Sequence, residues 1–251
     1  MPEALLEVDS VTKRFGGLLA VDRATLSAAK GCITALIGPN GAGKTTLFSI
    51  IAGFQRPTEG CIRYSGSDIT GTAPYKLARR GIARTFQIVQ PFSGLTVREN
   101  IAVGSHLHRA SRADALDAAT NVGKSVDLGE MLDRPVASLT IAGRKRLELA
   151  RALSIDPQLL LLDEVLAGLN PSEVRDLTPV IKAIAEGGVT IVMIEHIMQA
   201  VMSLAEQVYV LSEGRIIAQG APSEIASNPR VVEAYLGHGA AGRMTSGAKH
   251  D

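Results

Sequence analysis

Residues 32–46 read CITALIGPNGAGKTT, an apolar run that passes through a glycine-rich turn into a lysine and two threonines. The segment from Gly38 to Thr45 fits the pattern G-x-x-x-x-G-K-[ST], and apolar residues at helical spacing follow it. In a strand–turn–helix unit of this kind, backbone N–H groups of the turn and of the helix N-terminus point at phosphate oxygens. The stretch therefore predicts an α/β sheet that binds a triphosphate.

The residues of this turn have separate predicted roles. Lys44 is expected to reach the β and γ phosphates, and the hydroxyl of Thr45 is expected to bind magnesium. The remaining residues are expected to approach the phosphates through their backbones. The predicted phosphate-binding residues are Gly38, Pro39, Asn40, Gly41, Ala42, Gly43, Lys44, Thr45 and Thr46.

A second acidic stretch, LLLLDE at 159–164, places two carboxylates after four leucines. The leucines predict a central buried strand, and ligands of doubly wound sheets bind at the carboxyl ends of the strands. Two acids at a strand end are ordinarily a solvated terminus, but the phosphate loop upstream favours a functional interpretation. Asp163 is predicted to hold magnesium through water, and Glu164 to orient and deprotonate the water that attacks the γ-phosphate.

Apolar runs that alternate with helical segments predict a parallel sheet covered on both faces. The runs are LLEVDSV near the start, CITALIG, IARTF, QLLLLDE and VTIVMIEH. Two further segments, at 60–71 and 207–221, have the pattern of antiparallel ribbons around glycine turns. Residues from about 88 to 155 are predicted to be all-helical and inserted between two strands of the sheet.

These elements predict one α/β domain over 1–251, with a RecA-like P-loop core sheet, an antiparallel β subdomain and an inserted helical subdomain. The core and β subdomain are assigned to 1–87 and 156–240, and the helical subdomain to 88–155. The small, polar residues of 241–251 predict a flexible tail.

Helix ends can be predicted at several positions. Thr96 opens a capping box, and Asn170 is an N-cap followed by a proline and, at the third position, an acid. Pro179 lies inside the helix that Asn170 begins, so a kink or a break is expected there. Apolar residues between 111 and 131 recur at helical spacing and predict another helix.

Composition limits the class of protein. Twenty-six Lys and Arg against 25 Asp and Glu leave a net charge of +1, which argues against a nucleic-acid binder. Cys32 and Cys61 suit neither a disulfide framework nor a metal site, and reduced thiols are expected. The N-terminus has acids where a signal peptide would have cations, and no run reaches the roughly 18 apolar residues of a membrane span. We expect any membrane association to come through a partner.

Taken in order, these motifs resemble those of the ATP-binding subunit of an ABC transporter over nearly the whole chain. A lone His or Gln at a strand end is more often a surface residue, so His196 and Gln87 take their roles from this resemblance. It implies ATP and Mg²⁺ as ligands, Gln87 as a metal ligand, and Lys44, Gln87, Glu164 and His196 as catalytic residues. The matching residues are Phe15 (adenine stacking), Gly38 to Thr46 (Walker A), Gln87 (Q-loop), Asp163 and Glu164 (Walker B), Val165 to Asn170 (D-loop) and His196 (switch histidine).

LTIAG at 139–143 falls on the family signature, whose consensus is LSGGQ. The resemblance implies that two ATPase subunits meet head to tail, and that each signature helix points its N-terminus at the partner's γ-phosphate. Thr140, Ala142 and Gly143 are then expected to contact that nucleotide. Thr140 keeps the serine hydroxyl, but Ile141 and Ala142 replace two glycines, and Asn170 replaces the usual D-loop aspartate.

These departures imply a second ATPase of different sequence and unequal hydrolysis at the two sites. They leave intact the site that this chain's own Walker motifs build. Arg144 and Lys145, which follow the signature, are predicted mainly to solvate the helix face rather than to add charge at the nucleotide.

A narrower resemblance is to the importers of branched-chain amino acids. It implies two membrane permease subunits, a periplasmic binding protein and a place at the cytoplasmic face of the inner membrane. Relatives import urea or aromatic acids, so the solute stays open. The segments that carry this resemblance are DITG, GIARTFQ, GLTVRENIAVG, DEVLAGLNP and NPRVVEAYLG.

The Q-loop region from Gln87 to Glu99 is predicted to contact a coupling helix of the membrane subunit, through Val89, Phe92 and Leu95. Packing inside the helical insert is the alternative for these side chains. Two rival functions are a soluble ABC protein of translation or DNA repair, and a regulatory module that binds ATP without turnover. The short chain weighs against the first, and the presence of Glu164 and His196 weighs against the second.

Overall fold

A computed structural model describes residues 3–86 and 90–236 of the 251-residue chain. These residues form two sheets. One is antiparallel with the strand order β2-β1-β4-β5, and the other is mixed with the order β10-β9-β3-β8-β7-β6. The strands are β1 (Ala4–Phe15), β2 (Leu18–Ala29), β3 (Ile33–Ile37), β4 (Glu59–Tyr64), β5 (Ser67–Asp68), β6 (Ile82–Arg84), β7 (Leu159–Asp163), β8 (Thr190–Ile194), β9 (Gln207–Ser212) and β10 (Arg215–Gly220).

The helices lie between and beside these strands. Short 3-10 turns at 129–131 and 136–138 add to them. No helix in the described residues combines the length and apolar composition needed to cross a bilayer. The helices are α1 (Lys44–Ile51), α2 (Pro74–Arg79), α3 (Val97–Ser105), α4 (Arg112–Ser125), α5 (Ile141–Leu153), α6 (Pro171–Glu186), α7 (Met198–Leu204), α8 (Pro222–Ala226) and α9 (Pro229–Leu236).

The larger sheet confirms the predicted parallel core. β6, β7, β8, β3 and β9 pair in parallel, and only the edge strand β10 is antiparallel. All residues of β3, β7 and β8 are buried, because helices cover one face and the antiparallel sheet and α1 cover the other. In β7, Leu160 and Leu162 face the first of these two layers, and Leu159 and Leu161 face the second. Burial on both sides explains an unbroken leucine run.

One strand was placed in the wrong sheet by the sequence pattern. LLEVDSV was grouped with the parallel strands, but β1 pairs antiparallel with both β2 and β4. Its buried and exposed residues alternate over much of its length, as in a sheet with one solvated face. The ribbon at 60–71 is antiparallel as predicted. The ribbon at 207–221 is also a hairpin, but β9 joins the main sheet through β3.

The predicted helix ends can be compared with the structure directly. Capping boxes at Thr96 and Asn170 are both confirmed. A kink or a break was predicted at Pro179; the helix is not broken there, because α6 runs through it from Pro171 to Glu186, and the kink stays a prediction. The helix predicted between 111 and 131 ends earlier, at Ser125, and a 3-10 turn follows at 129–131.

The insert between β6 and β7 holds α3, α4 and α5 and no strand in its described part, 90–155. Its apolar side chains, such as Ile101 and Leu147, share one core cluster with β7 and β8. The fold class predicted from the sequence is therefore confirmed, with a mixed core sheet, an antiparallel β subdomain and an inserted helical subdomain. Cys32 and Cys61 are both free. The tail predicted for 241–251 lies outside the described residues.

Candidate functional site

The glycine-rich turn between β3 and α1 has a backbone that only glycine fits at two positions. Gly38 has φ +149°, and a Cβ there would lie 1.9 Å from the backbone O of Leu211. Gly43 has φ +104°, and its Cβ would lie 2.3 Å from the O of Ala20. No side chain caps the start of α1, so the first-turn N–H groups stay open to an anionic ligand.

Lys44 is buried against the turn that precedes it. Its Nζ donates to the backbone O of Gly38 at 2.8 Å and to that of Pro39 at 2.9 Å. Burial lowers the pKa of this ammonium, and the carboxylates of Glu164 and Asp163 act in the opposite direction. The charge predicted to bind phosphate is therefore held over the loop by two carbonyls.

Asp163 ends β7 in a buried ion pair that the sequence analysis missed. Its Oδ2 accepts from Arg84 of the neighbouring strand β6 at 2.7 Å, and both side chains are almost fully buried. Arg84 also donates to the Oγ of Ser49 on α1, and its guanidinium lies within 6 Å of the rings of Phe54 and Phe86. A cation on the adjacent parallel strand was the available signal for this pair.

Glu164 and His196 meet where β7 and β8 end. The Nε2 of His196 lies 2.7 Å from the Oε1 of Glu164. These two residues are 32 positions apart in the chain but adjacent in the sheet, because β7 and β8 are parallel neighbours. The structure thus brings together two residues whose predicted roles both concern the attacking water.

The structure contradicts the prediction for Lys145. It was expected to solvate the face of the signature helix, but only 7% of its surface is exposed and its Nζ donates to the backbone O of Glu164 at 3.2 Å. Burial lowers the pKa of this ammonium, and nearby carboxylates, Glu195 the most strongly, act in the opposite direction. Arg144, its neighbour, is exposed as expected.

Glu195 and Glu148 are further buried acids that sequence reasoning did not find. Burial raises the pKa of Glu195 to about 7, although its carboxylate accepts from the N–H of Leu166 at 3.0 Å. Burial also raises the pKa of Glu148, which accepts from the N–H of Phe86 and from Arg151. Arg151 in turn donates to the O of Gln90. Helix α5 therefore bonds residues on both sides of 87–89, while the predicted ligand Gln87 itself lies outside the described residues.

Residues 40–46 of the turn line one cleft. The cleft has a volume of about 540 Å³ and is also lined by Phe15, Glu164 and His196. Thr45 lines both this cleft and a second one that contains Asp163. Its hydroxyl and the Asp163 carboxylate are oxygen donors of the kind that Mg²⁺ prefers. Phe15, the predicted adenine contact, is 44% exposed, with the Nζ of Lys13 4.9 Å from its ring centre.

The signature residues begin α5 and lie apart from that cleft. Thr140 is the N-cap, and its Oγ1 accepts from the N–H of Gly143 at 3.1 Å. Among the described residues that line either cleft beside Thr45, none belongs to 139–143. Ile141 is 63% exposed, so the start of the helix has an apolar side chain open to solvent.

Comparisons with known proteins agree with this site. The family described as "ABC transporter" matches residues 21–167, and one described as "Branched-chain amino acid ATP-binding cassette transporter" matches residues 215–241. The chain is 41% identical over 253 residues to BraF of Pseudomonas aeruginosa, a high-affinity branched-chain amino acid transport ATP-binding protein. That match covers 94% of this chain and 99% of BraF.

Other matches extend across bacteria and archaea. LivG of Escherichia coli K12 is 38% identical, with coverage of 94% of this chain and 99% of LivG. A probable LivG of Methanocaldococcus jannaschii is 33% identical, covering 93% and 97%. Among solved structures, a nucleotide-free ATP-binding cassette of an ABC transporter superposes with a TM-score of 0.86 at 31% identity, and the ADP conformation of such a cassette with 0.86 at 32%. Each covers 94% of this chain and is covered over its whole length.

Proposed function

The chain belongs to the ABC transporter family of ATP-binding proteins, and from this membership we propose that it hydrolyses ATP to power an importer of branched-chain amino acids. The names of the relatives support this solute, as does the match of residues 215–241 to the branched-chain family. One observation carries the hydrolytic role: Glu164 bonds His196 at 2.7 Å in the cleft that Lys44 and Thr45 line.

The proposed chemistry assigns one task to each side chain. Lys44 exchanges its two loop carbonyls for the β and γ phosphates, and Phe15 stacks on the adenine. Glu164 orients the attacking water and accepts its proton, while His196 holds the Glu164 carboxylate in place. Thr45, Asp163 and Gln87 would hold magnesium, which would supply positive charge to the phosphates.

The signature residues act on a second subunit in this proposal. Thr140, Ala142 and Gly143 begin a helix whose N-terminal dipole favours an anion, and the exposed Ile141 marks the same face. Ala142 adds a methyl group where the family places a glycine, so the partner's site is proposed to be the weaker of the two. The second ATPase is therefore proposed to be non-identical, with unequal hydrolysis.

An apolar groove beside Arg84 is proposed to receive the membrane subunit. It has a volume of about 360 Å³ and extends from β6 to helices α2, α3 and α5. The exposed side chains Phe54, Tyr75, Phe86 and Val103 line it. The contact predicted at 87–99 is a different segment: none of its described residues, 90–99, lines this groove, and residues 87–89, with Val89, lie outside the described residues.

The other two predicted docking side chains differ in exposure. Phe92 is exposed and lies against the guanidinium of Arg151, whereas Leu95 is half-buried. Two membrane subunits and a solute-binding protein complete the proposed assembly, which places this chain at the cytoplasmic face of the inner membrane.

Glu164→Gln tests the hydrolytic role. ATP turnover by the assembled transporter is expected to fall at least about 100-fold, because a general base contributes about 10²–10⁴. ATP binding is expected to persist, since the phosphate loop is unchanged. Glu186→Gln, which changes an exposed carboxylate, is the matched control and is expected to keep wild-type turnover. Unchanged turnover in Glu164→Gln would favour a regulatory module that only binds ATP.

Two further measurements use the same preparation. Equal inactivation by Glu164→Gln and by the equivalent substitution in the second ATPase would contradict the proposed asymmetry. Uptake of radiolabelled leucine into vesicles is expected to need ATP and to compete with isoleucine and valine. Competition by urea or by aromatic acids instead would assign the importer to those solutes.

A further inference from the structure

Lys145 places a positive charge inside the protein, directly behind the candidate catalytic site. It lies in the second turn of α5, and its Nζ donates to the backbone O of Glu164. Burying an ammonium is costly unless hydrogen bonds and opposite charges compensate it. Here the compensation comes from carboxylates that line or flank the end of β7, so Lys145 belongs to the same electrostatic unit as Glu164.

Glu164 has a backbone that needs such support. Its φ is +51°, in the left-handed region, which is strained for a residue that has a side chain. Its N–H donates to the O of Ile194 at 3.0 Å, and its O accepts from the N–H of Ala167 at 3.1 Å as well as from Lys145. The bond from Lys145 is thus a contact that ties this strained residue to the helical subdomain.

The residues that follow Glu164 are held by a second side-chain contact, which comes from a carboxylate instead of an ammonium. The carboxylate of Glu195, itself buried, accepts from the N–H of Leu166 at 3.0 Å. Between them, Lys145 and Glu195 bind one carbonyl and one amide within three consecutive residues. Lys145 on α5 contacts Glu164, and Glu195 immediately precedes His196, so one member of this pair adjoins each partner of the Glu164–His196 bond.

We propose that Lys145 is a positioning residue, which fixes the backbone of Glu164 through its carbonyl and thereby links the signature helix to the carboxylate that orients water. This inference rests on the proposed role of Glu164. A displacement of α5 relative to β7 changes the Nζ–carbonyl bond first and the aim of the Glu164 side chain as a result. The signature helix then acts on its own subunit as well as on the partner.

Lys145→Met tests the proposal, because methionine keeps most of the side-chain volume and removes the donor and the charge. Hydrogen exchange of the amides at 165–168, measured on the full-length chain, is expected to accelerate at least about tenfold because this segment is held less firmly. In the assembled transporter, kcat is expected to fall about tenfold or more while the Kd for Mg-ATP stays within about twofold of wild type. Lys145→Arg retains a cationic donor and is expected to recover most of the turnover.

Arg146→Met is the matched control. Arg146 follows Lys145 on the same helix and donates to the O of Val126 at 3.2 Å and to Asp127. Arg146→Met also removes a cation that donates to a backbone carbonyl, but this carbonyl belongs to Val126 and not to Glu164. It is expected to lower the melting temperature and to leave both the exchange at 165–168 and kcat unchanged.

The double substitution Lys145→Met with Glu195→Gln separates positioning from charge balance. If Lys145 only neutralised Glu195, removing both charges would restore turnover; the proposal expects the double variant to stay slow. Wild-type exchange and kcat in Lys145→Met, or full recovery in the double variant, would overturn the proposal. Unchanged turnover in Glu164→Gln would instead refute the role of Glu164, and the exchange measurement would still report on the Lys145 contact.

Discussion

Replacing Glu195 by Gln should stabilise the nucleotide-free chain at alkaline pH and have little effect at acid pH. Glu195 is about 1% exposed, and its surroundings raise its pKa from 4.5 to about 7. Desolvation is the largest cause, and the negative charge of Glu164 adds to it. The N–H groups of Leu166 and His196 and the charge of Lys145 act in the opposite direction.

The direction of the pH dependence follows from how many protons Glu195 binds in the folded and in the unfolded chain. Between pH 4.5 and 7 the folded chain binds more protons at Glu195 than the unfolded chain does, so stability falls as pH rises through this window. Gln mimics the protonated carboxyl at every pH. With the two pKa values, the ionisation of Glu195 destabilises wild type by about 1 kcal/mol at pH 5 and about 3 kcal/mol at pH 8.5.

Urea unfolding at the two pH values measures the effect. The advantage of Glu195→Gln over wild type is expected to grow by about 2–3 kcal/mol from pH 5 to pH 8.5. The control Glu186→Gln changes an exposed carboxylate and is expected to stay within about 0.5 kcal/mol of wild type at both. An advantage that does not change with pH would refute the reasoning, because it would mean that Glu195 is equally ionised in the folded and unfolded chains.

Two further substitutions test single contacts by the same unfolding measurement. Arg84→Met leaves Asp163 as an unpaired buried charge and is expected to cost about 3–5 kcal/mol. Breaking the exposed pair of Lys182 and Glu186 by Lys182→Met is expected to cost less than about 1 kcal/mol, and equal losses would contradict the buried pairing. Asn170→Ala removes the α6 cap and is expected to cost about 1 kcal/mol, whereas Asn170→Asp keeps the cap; equal costs would show that the side-chain oxygen does not stabilise the helix.

The parts of the fold that the sequence predicts are those fixed by local chemistry. The turn from Gly38 to Thr45 is predictable because Gly38 and Gly43 occupy backbone positions that no side chain tolerates. The caps at Thr96 and Asn170 are predictable because a side chain three residues away completes each one. Such signals involve only neighbours in the chain, so one sequence contains them in full.

The wrong predictions concern elements whose structure depends on contacts with residues far away in the sequence. β1 carries the apolar residues Leu5, Leu6 and Val8 in the run that was grouped with the core strands, but it pairs with β2 and β4 in the antiparallel sheet. Pro179 does not end α6, because apolar residues on both sides of it, Leu177 and Ile181, are buried in the core and hold the helix together. Burial against other elements outweighs the local preference in both cases.

The residues of the candidate site also divide into those with a local sequence signal and those that depend on distant contacts. Lys44 was predicted from the glycine-rich pattern, and Asp163 and Glu164 were predicted because they end an apolar strand at the edge where such sheets bind ligands. His196 took its role from the family resemblance. Lys145 was misassigned because its position, two residues past the signature, reads as a solvated helix face. Only the arrangement of α5 against β7 turns it inward.

The buried acids of this edge each have a cation nearby, and this arrangement follows from the chemistry the site must perform. A cleft that binds a polyanion cannot also hold several uncompensated carboxylates, because their charges would repel the phosphates. Cations drawn from other elements reduce that repulsion without entering the cleft lined by Lys44, so the loop amides and Lys44 remain available for phosphate. The cost is that stability and catalytic geometry depend on the same contacts between the core and the helical insert. The acids and their cations are Asp163 with Arg84, Glu148 with Arg151, and Glu195 with Lys145.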